Sequence, residues 1–83
     1  MMNDDELRAV VRTVLSGIAP EADLDTLDPA AQLQEELDLD SINFLDFVSG
    51  VHDRTGVDIP ERDYPQVATL EGCVRYLHAN LAA

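Results

Sequence analysis

Residues 37–45 read LDLDSINFL, an acidic stretch that runs into an apolar pattern with Ser41 at the junction. Beyond Ser41, apolar residues recur at spacings of three and four, as Phe44, Val48 and Val51 do, and this spacing predicts an amphipathic helix. Ser41 then lies in the first turn, where backbone N–H groups lack intrahelical partners and the helix dipole is positive. A serine there can cap the helix, and a phosphate on its hydroxyl would meet free donors. We therefore expect Ser41 to be phosphorylated or phosphodiester-linked.

The rest of the chain also predicts helices. Asn3 with Glu6 forms an asparagine version of a capping box, and a continuous apolar stripe then predicts a first helix from Asp4 to Ile18. A long loop follows, from Ala19 to Asp40, and its turn formers are interspersed with leucines that we expect to pack across the helix ends.

The second half of the chain has clear helix ends. The helix that begins near Ser41 should stop near Gly56, and Pro60 to Pro65 leaves room for one short helical turn. Thr69 is placed to cap a last helix. The sequence thus predicts an all-α four-helix bundle with a short third helix and a long loop between the first and second helices, in a single domain over residues 1–83.

Composition narrows the function classes. The 83 residues include 17 acidic residues against five arginines and no lysine, so the formal net charge is −12. Such a surface repels nucleic acid and favours basic protein partners. A domain of this size has little room for a large catalytic cleft. The sequence shows no apolar run near the roughly 20 residues that span a membrane and no basic-then-apolar signal segment, which predicts a cytoplasmic protein with no membrane partner.

Residues 36–42, ELDLDSI, resemble the attachment motif of acyl and peptidyl carrier proteins, an acidic-Leu-Gly-x-Asp-Ser-Leu pattern. The order of helices, the long loop and the turn at residues 56–60 extend the resemblance over essentially the whole chain. Two positions depart from the family pattern, since Asp38 replaces the usual glycine and Ile42 replaces leucine. The first departure matters if that backbone requires a positive φ, which glycine adopts most readily.

The resemblance implies that Ser41 carries 4′-phosphopantetheine taken from coenzyme A, attached by a separate phosphopantetheinyl transferase. Ser41 is then a substrate, and the protein is a non-catalytic, monomeric carrier of acyl groups held as thioesters. Asp40 is implied to help the transferase hold its metal and position the carrier. The face that biosynthetic enzymes with basic docking surfaces would recognise combines carboxylates with apolar contacts, namely Asp38, Asp40, Ile42, Leu45 and Asp46.

Catalytic use of Ser41 is disfavoured by the residues around it. The G-x-S-x-G elbow of serine hydrolases is absent. His52 lies eleven residues further along the same helix, about 16 Å away at 1.5 Å per residue, so it cannot act as the base. His78 reads as a surface residue near the end of the last helix, and the lone Cys73 falls in step with that helix's apolar positions as a core residue.

The Asp-x-Asp spacings also fail as a metal site. A calcium loop beginning at Asp38 needs an oxygen ligand, a glycine and a glutamate where the chain has Ile42, Asn43 and Ser49. A register beginning at Asp23 fails at the same three places. We therefore predict no dedicated metal site.

The sequence favours a discrete acyl carrier protein for fatty-acid, polyketide or related biosynthesis. It leaves open an aminoacyl or peptidyl carrier and, from a different class, a helical interaction module that binds a basic partner and never carries an arm. The small residues Ser49 and Gly50 also allow two interpretations: they leave room for an acyl chain between helices, or they let another helix approach closely.

Overall fold

The computed structural model describes residues 2–81, which form helices and connecting loops. In chain order the elements are helix α1, a single turn α2, helix α3, a 3₁₀ helix η1 and helix α4, with the bounds Asp4–Ile18, Leu33–Glu36, Ser41–Thr55, Glu61–Val67 and Leu70–Leu81. This confirms the all-α architecture. The four predicted helices are α1, α3, η1 and α4, and the extra turn α2 lies inside the long connection.

The ends of the helices follow from particular side chains. The Asn3 side chain accepts a hydrogen bond from the Glu6 amide at 2.9 Å while Glu6 accepts from the Asn3 amide, which confirms the capping box. Gly56 ends α3 in the left-handed region, with φ of 73°. The Thr69 hydroxyl accepts from the Gly72 amide at 3.0 Å and so caps α4 as predicted.

The short third helix is 3₁₀ rather than α. Pro65 lies inside η1. In an α-helix, residue 65 would donate its N–H to the Glu61 carbonyl, but proline has no N–H and its ring would clash with that carbonyl. In the tighter 3₁₀ winding the bonds run from i to i+3, so no bond from residue 65 to the Glu61 carbonyl is needed. Asp63 donates its amide to the Pro60 carbonyl at 2.8 Å in this pattern.

One apolar core joins these elements. Helix α1 packs against α3 and α4, and η1 packs against α4. The buried residues of this core are Leu7, Val11, Val14, Leu15, Leu33, Phe44, Phe47, Val48, Val51, Val57, Ile59, Val67, Leu70, Cys73, Val74, Tyr76 and Leu77. Cys73 is fully buried, as predicted, and that burial raises the pKa of its thiol to about 12.

The contact between α1 and α3 resolves the role of the small residues on α3. A Cβ built on Gly50 would stand 2.7 Å from Cγ1 of Val14, whereas Ser49 is exposed. Glycine therefore lets the two helices approach closely at this point, and it does not open a chamber between them.

The long connection is attached to the rest of the fold by backbone hydrogen bonds. The Leu33 amide donates to the Ala68 carbonyl at 2.9 Å, and the Glu71 amide donates to the Pro29 carbonyl at 3.0 Å. These bonds hold α2 beside the junction of η1 and α4. Among the helices of residues 2–81, none is long and apolar enough to cross a bilayer.

Candidate functional site

Ser41 is the first residue of α3 and is exposed. The cap of this helix is Asp40, whose carboxylate accepts a hydrogen bond from the Asn43 amide at 2.7 Å. The expectation that Ser41 itself caps the helix is therefore wrong, because the helix begins at Ser41, one residue earlier than a serine cap requires. The amides of Ser41 and Ile42 remain without intrahelical acceptors, next to the serine hydroxyl.

The backbone just before Ser41 explains the departure at Asp38. Asp38 has φ of 54°, in the left-handed region where glycine is preferred. It follows the last residues of α2, and the Leu39 amide bonds back to the Gln34 carbonyl at 2.9 Å, as in a Schellman ending of a helix. The position therefore does require positive φ. Aspartate tolerates this conformation better than most side chains, but at some cost.

A groove of about 480 Å³ opens beside Ser41, between α2, the first turns of α3, and η1. Its lining combines apolar, aromatic and amide side chains with one carboxylate, and consists of Gln32, Gln34, Ser41, Phe44, Leu45, Glu61, Tyr64, Pro65 and Ala68. Several of these residues come from segments far from Ser41 in sequence. No sequence signal links them, because tertiary packing alone brings α2 and η1 to this place.

Ile42 and Leu45 are large apolar residues that the fold leaves exposed, by 71% and 48% respectively. Asp38, Asp40 and Asp46 are exposed as well. The five residues predicted to form a recognition face are thus all accessible around the start of α3. Because the chain has no arginine between residues 12 and 54, the local charge along this part of the sequence is strongly negative.

The two histidines lie away from Ser41, and each contacts another group of the protein. Nδ1 of His52 lies 3.1 Å from the Val57 carbonyl oxygen, at the far end of α3 from Ser41. Nδ1 of His78 lies 3.2 Å from a carboxylate oxygen of Asp4, where α4 meets α1. Neither position gives Ser41 a general base. Within residues 2–81, no three His, Cys, Asp or Glu side chains gather as a metal site.

The site suits a phosphodiester-linked group with a long amide-containing chain. At Ser41 Oγ, a phosphate would lie near the free amides of the first turn and the positive end of the α3 dipole. A chain that leaves the serine meets the groove at once, since Ser41 is part of its lining. The amides of Gln32 and Gln34 are hydrogen-bonding partners for a polar chain, and the aromatic side of the groove suits its apolar parts.

Comparisons with known proteins likewise indicate a group attached through a phosphate. A family model described as "Phosphopantetheine attachment site" matches residues 5–77. The chain is 25% identical over 76 residues to the mitochondrial acyl carrier protein of Neurospora crassa, covering 92% of this chain and 57% of that protein, so it spans little more than half of the Neurospora protein. It is likewise 25% identical over 76 residues to an acyl carrier protein of Helicobacter hepaticus, covering 92% of this chain and 93% of that protein.

These matches indicate a covalently attached 4′-phosphopantetheine as the prosthetic group. The all-helical fold agrees with this family. Because the family match covers most of the chain, this protein belongs to the acyl carrier protein family of phosphopantetheine-binding carriers.

Proposed function

We propose that this chain is a discrete acyl carrier protein, acting as one domain in the cytoplasm, whose arm is attached at Ser41 and carries intermediates of fatty-acid, polyketide or related biosynthesis. The observation that carries the proposal is the exposed Ser41 at the first residue of α3, inside the segment that the family model matches and at the edge of the groove. The domain itself has no catalytic role.

Attachment needs a separate enzyme, because a serine hydroxyl is a weak nucleophile at neutral pH and, within residues 2–81, both histidines contact groups away from Ser41. In the transferase complex, Ser41 Oγ attacks the phosphorus of coenzyme A that bears the pantetheine. The bond from that phosphorus to the bridging oxygen breaks, 3′-phosphoadenosine 5′-phosphate leaves, and a base of the transferase takes the hydroxyl proton. Once attached, the group supplies a thiol that holds acyl intermediates as thioesters.

Recognition by partner enzymes is assigned to Ile42 and Leu45 with the surrounding carboxylates Asp38, Asp40 and Asp46. Exposed apolar side chains inside a charged rim are the arrangement that protein interfaces use for contact and for steering. The partners we expect are a phosphopantetheinyl transferase and biosynthetic enzymes with basic docking surfaces, which meet a monomeric carrier. Asp40 then has two roles, as the cap of α3 and as a contact for the transferase.

The test is the intact mass after incubation with coenzyme A, magnesium and a broad-specificity phosphopantetheinyl transferase. We expect a gain of one phosphopantetheine group in the wild type and none in Ser41→Ala. Ser49→Ala is the matched control, since Ser49 is an exposed serine on the same helix and its loss should leave the modification intact.

A folded wild-type protein that gains no mass with two unrelated transferases would contradict the proposal and favour a helical interaction module for a basic partner. If mass is gained but the arm accepts aminoacyl groups from a loading enzyme and not acyl groups, the protein is an aminoacyl or peptidyl carrier.

A further inference from the structure

A short segment between two core residues has no buried side chain of its own. We call residues 60–66 the strap, and they lie between Ile59 and Val67. Both of these flanking side chains belong to the core, whereas none of residues 60–66 is buried. The strap contains all of η1 except Val67. Because 3₁₀ hydrogen bonds have poorer geometry than those of an α-helix, local structure alone holds such a segment weakly.

The backbone fixes the end of the strap that leads into α4. The Ala68 carbonyl accepts a hydrogen bond from the Leu33 amide at 2.9 Å. The Gln66 carbonyl oxygen lies so close to α4 that a Cβ built on Gly72 would stand 2.6 Å from it. In the middle of the strap, by contrast, the Asp63 amide bonds to a carbonyl of the strap itself. The middle of the strap therefore relies on side chains for its attachment to the helices.

A polar side-chain contact joins the middle of the strap to α4. The Tyr76 hydroxyl donates a hydrogen bond to a carboxylate oxygen of Asp63 at 2.8 Å, and it lies 3.4 Å from the Asp58 carbonyl oxygen. Tyr76 is buried and Asp63 is half-buried, so water has limited access to this bond. A hydrogen bond to a charged acceptor is stronger than one between neutral groups. This bond is therefore a main attachment of the strap.

Open space lies on both sides of this contact. Two grooves of about 510 and 620 Å³ are lined by residues of both η1 and α4. Asp63, Tyr76 and Asn80 line both grooves, so the hydrogen-bonded pair stands where the two meet. A segment with few buried contacts and open space behind it opens at a low free-energy cost.

We propose that the hydrogen bond between Tyr76 and Asp63 is a clasp that keeps the strap closed, and that the strap opens locally while α1, α3 and α4 stay folded. Glu61 and Pro65 of the strap line the groove beside Ser41, so the closed and open forms present different surfaces at that site. A partner that contacts η1 can therefore select one of the two forms. The clasp belongs to the unmodified chain and does not depend on attachment at Ser41.

Trypsin suits the test, because the chain has five arginines and no lysine. Arg62 lies in the strap, whereas the other four arginines lie in α1, α3 and α4. The unmodified protein is treated with little trypsin at several urea concentrations below the unfolding transition, and fragment masses give the rate of first cleavage after each arginine. In the wild type, cleavage after Arg62 should change little with urea, because local opening exposes little surface. Cleavage after Arg12 and Arg75 should rise steeply, since it requires the helices to unfold.

Tyr76→Phe removes the clasp and keeps the ring in the core. We expect it to raise the rate of cleavage after Arg62 by about 10- to 100-fold, provided that the strap closes faster than trypsin cuts. The dependence of this cleavage on urea should remain shallow. Tyr64→Phe is the matched control, because it makes the same change on the strap itself, where Tyr64 contacts Phe44 through its ring. Its rate should stay within about twofold of the wild type.

Amide hydrogen exchange gives a second measurement of the same opening. The η1 amides should exchange faster in Tyr76→Phe by the same factor as the cleavage. If that variant does not fold, Asp63→Asn takes its place, and its neutral acceptor should give a rise of about 3- to 10-fold in the exchange of these amides.

Two results would overturn the proposal. In one, cleavage of the wild type after Arg62 rises with urea as steeply as cleavage after Arg75, so that the strap opens only with the whole fold. In the other, the clasp variant leaves the opening of the strap within twofold of the wild type. Neither measurement uses coenzyme A or a transferase, so failure of the clasp and failure of the attachment at Ser41 are distinguishable.

Discussion

Gly50→Ala tests the close approach of α3 to α1. An added Cβ would stand 2.7 Å from Cγ1 of Val14, well inside the roughly 3.5–4.0 Å at which carbon atoms pack. Val14 is buried and β-branched in a helix, so it has essentially one rotamer and cannot turn the methyl away. Overpacking of this kind costs about 1–3 kcal/mol. Alanine regains about 1 kcal/mol of helix propensity over glycine, so we expect a net loss near 1 kcal/mol.

The assay is urea unfolding at fixed ionic strength on the two single variants and the double variant with Val14→Ala. Removing the Val14 methyls makes room for the new Cβ, so in that background Gly50→Ala should be neutral or stabilising. The coupling free energy is then about 2 kcal/mol. Gly17→Ala is the matched control, because Gly17 also lies in a helix but a Cβ there would meet nothing within 4 Å. It should stabilise by about 0.5 kcal/mol.

Two results would contradict this prediction: Gly50→Ala stabilises the wild type as much as Gly17→Ala does, or its effect is the same with and without the Val14 side chain. Either result would mean that the two helices move apart at little cost.

Three further predictions concern the site and the core. Asp40→Ala should lower the free energy of unfolding by about 1 kcal/mol through loss of the helix cap, whereas Asp40→Asn keeps an acceptor and should lose much less, as urea unfolding will show. Asp38→Ala should destabilise the protein by about 1 kcal/mol because alanine resists positive φ. Asp38→Gly removes the same charge but should stay within about 0.5 kcal/mol of the wild type. Equal effects of the two variants in urea unfolding would mean that the positive φ of residue 38 is not the cause. The contribution of Cys73 to stability should be fully present below pH 9 and should be lost as pH rises from 9 towards 12, because the buried Cys73 thiol keeps its proton while the unfolded thiol loses it. The slope of this loss should approach about 1.4 kcal/mol per pH unit, and it should be shallower in Cys73→Ala. Burial, and then the hydrogen bond to Asp63, raise the pKa of Tyr76, so Tyr76 should add a loss of the same sign at higher pH.

The sequence predicted those features that rest on local interactions. The asparagine capping box, the glycine at the end of α3 and the threonine cap of α4 each involve residues a few positions apart, so spacing alone identifies them. The buried positions of α3 follow from the apolar period in the same way. Spacing alone places the cap of α3 at Ser41, one residue after the true cap Asp40. Aspartate and serine are both good caps and stand next to each other, so the sequence does not distinguish them.

The groove could not be predicted, because it depends on contacts between distant segments. Tyr64 and Gln34 come from opposite sides of Ser41 in sequence, and the bond from the Leu33 amide to the Ala68 carbonyl brings their segments together. The glycine of the family pattern suggests a positive φ at Asp38, but aspartate is acceptable in several backbone regions and the ending of α2 selects the left-handed one. Tertiary packing decides such features, and local propensity does not.

The division of roles between Asp40, which caps α3, and Ser41, the first residue of the helix, bears on the stability of the unmodified protein in a cell. Asp40 caps the helix without help from Ser41, so we expect the unmodified chain to fold. The modified form should be more stable only by the roughly 0.3–1 kcal/mol that a negative charge supplies at a helix N-terminus. Proteases that remove unfolded chains should then distinguish the two forms only weakly. We therefore expect the fraction of modified carrier to depend more on how fast the transferase acts relative to synthesis than on selective clearance of the unmodified form.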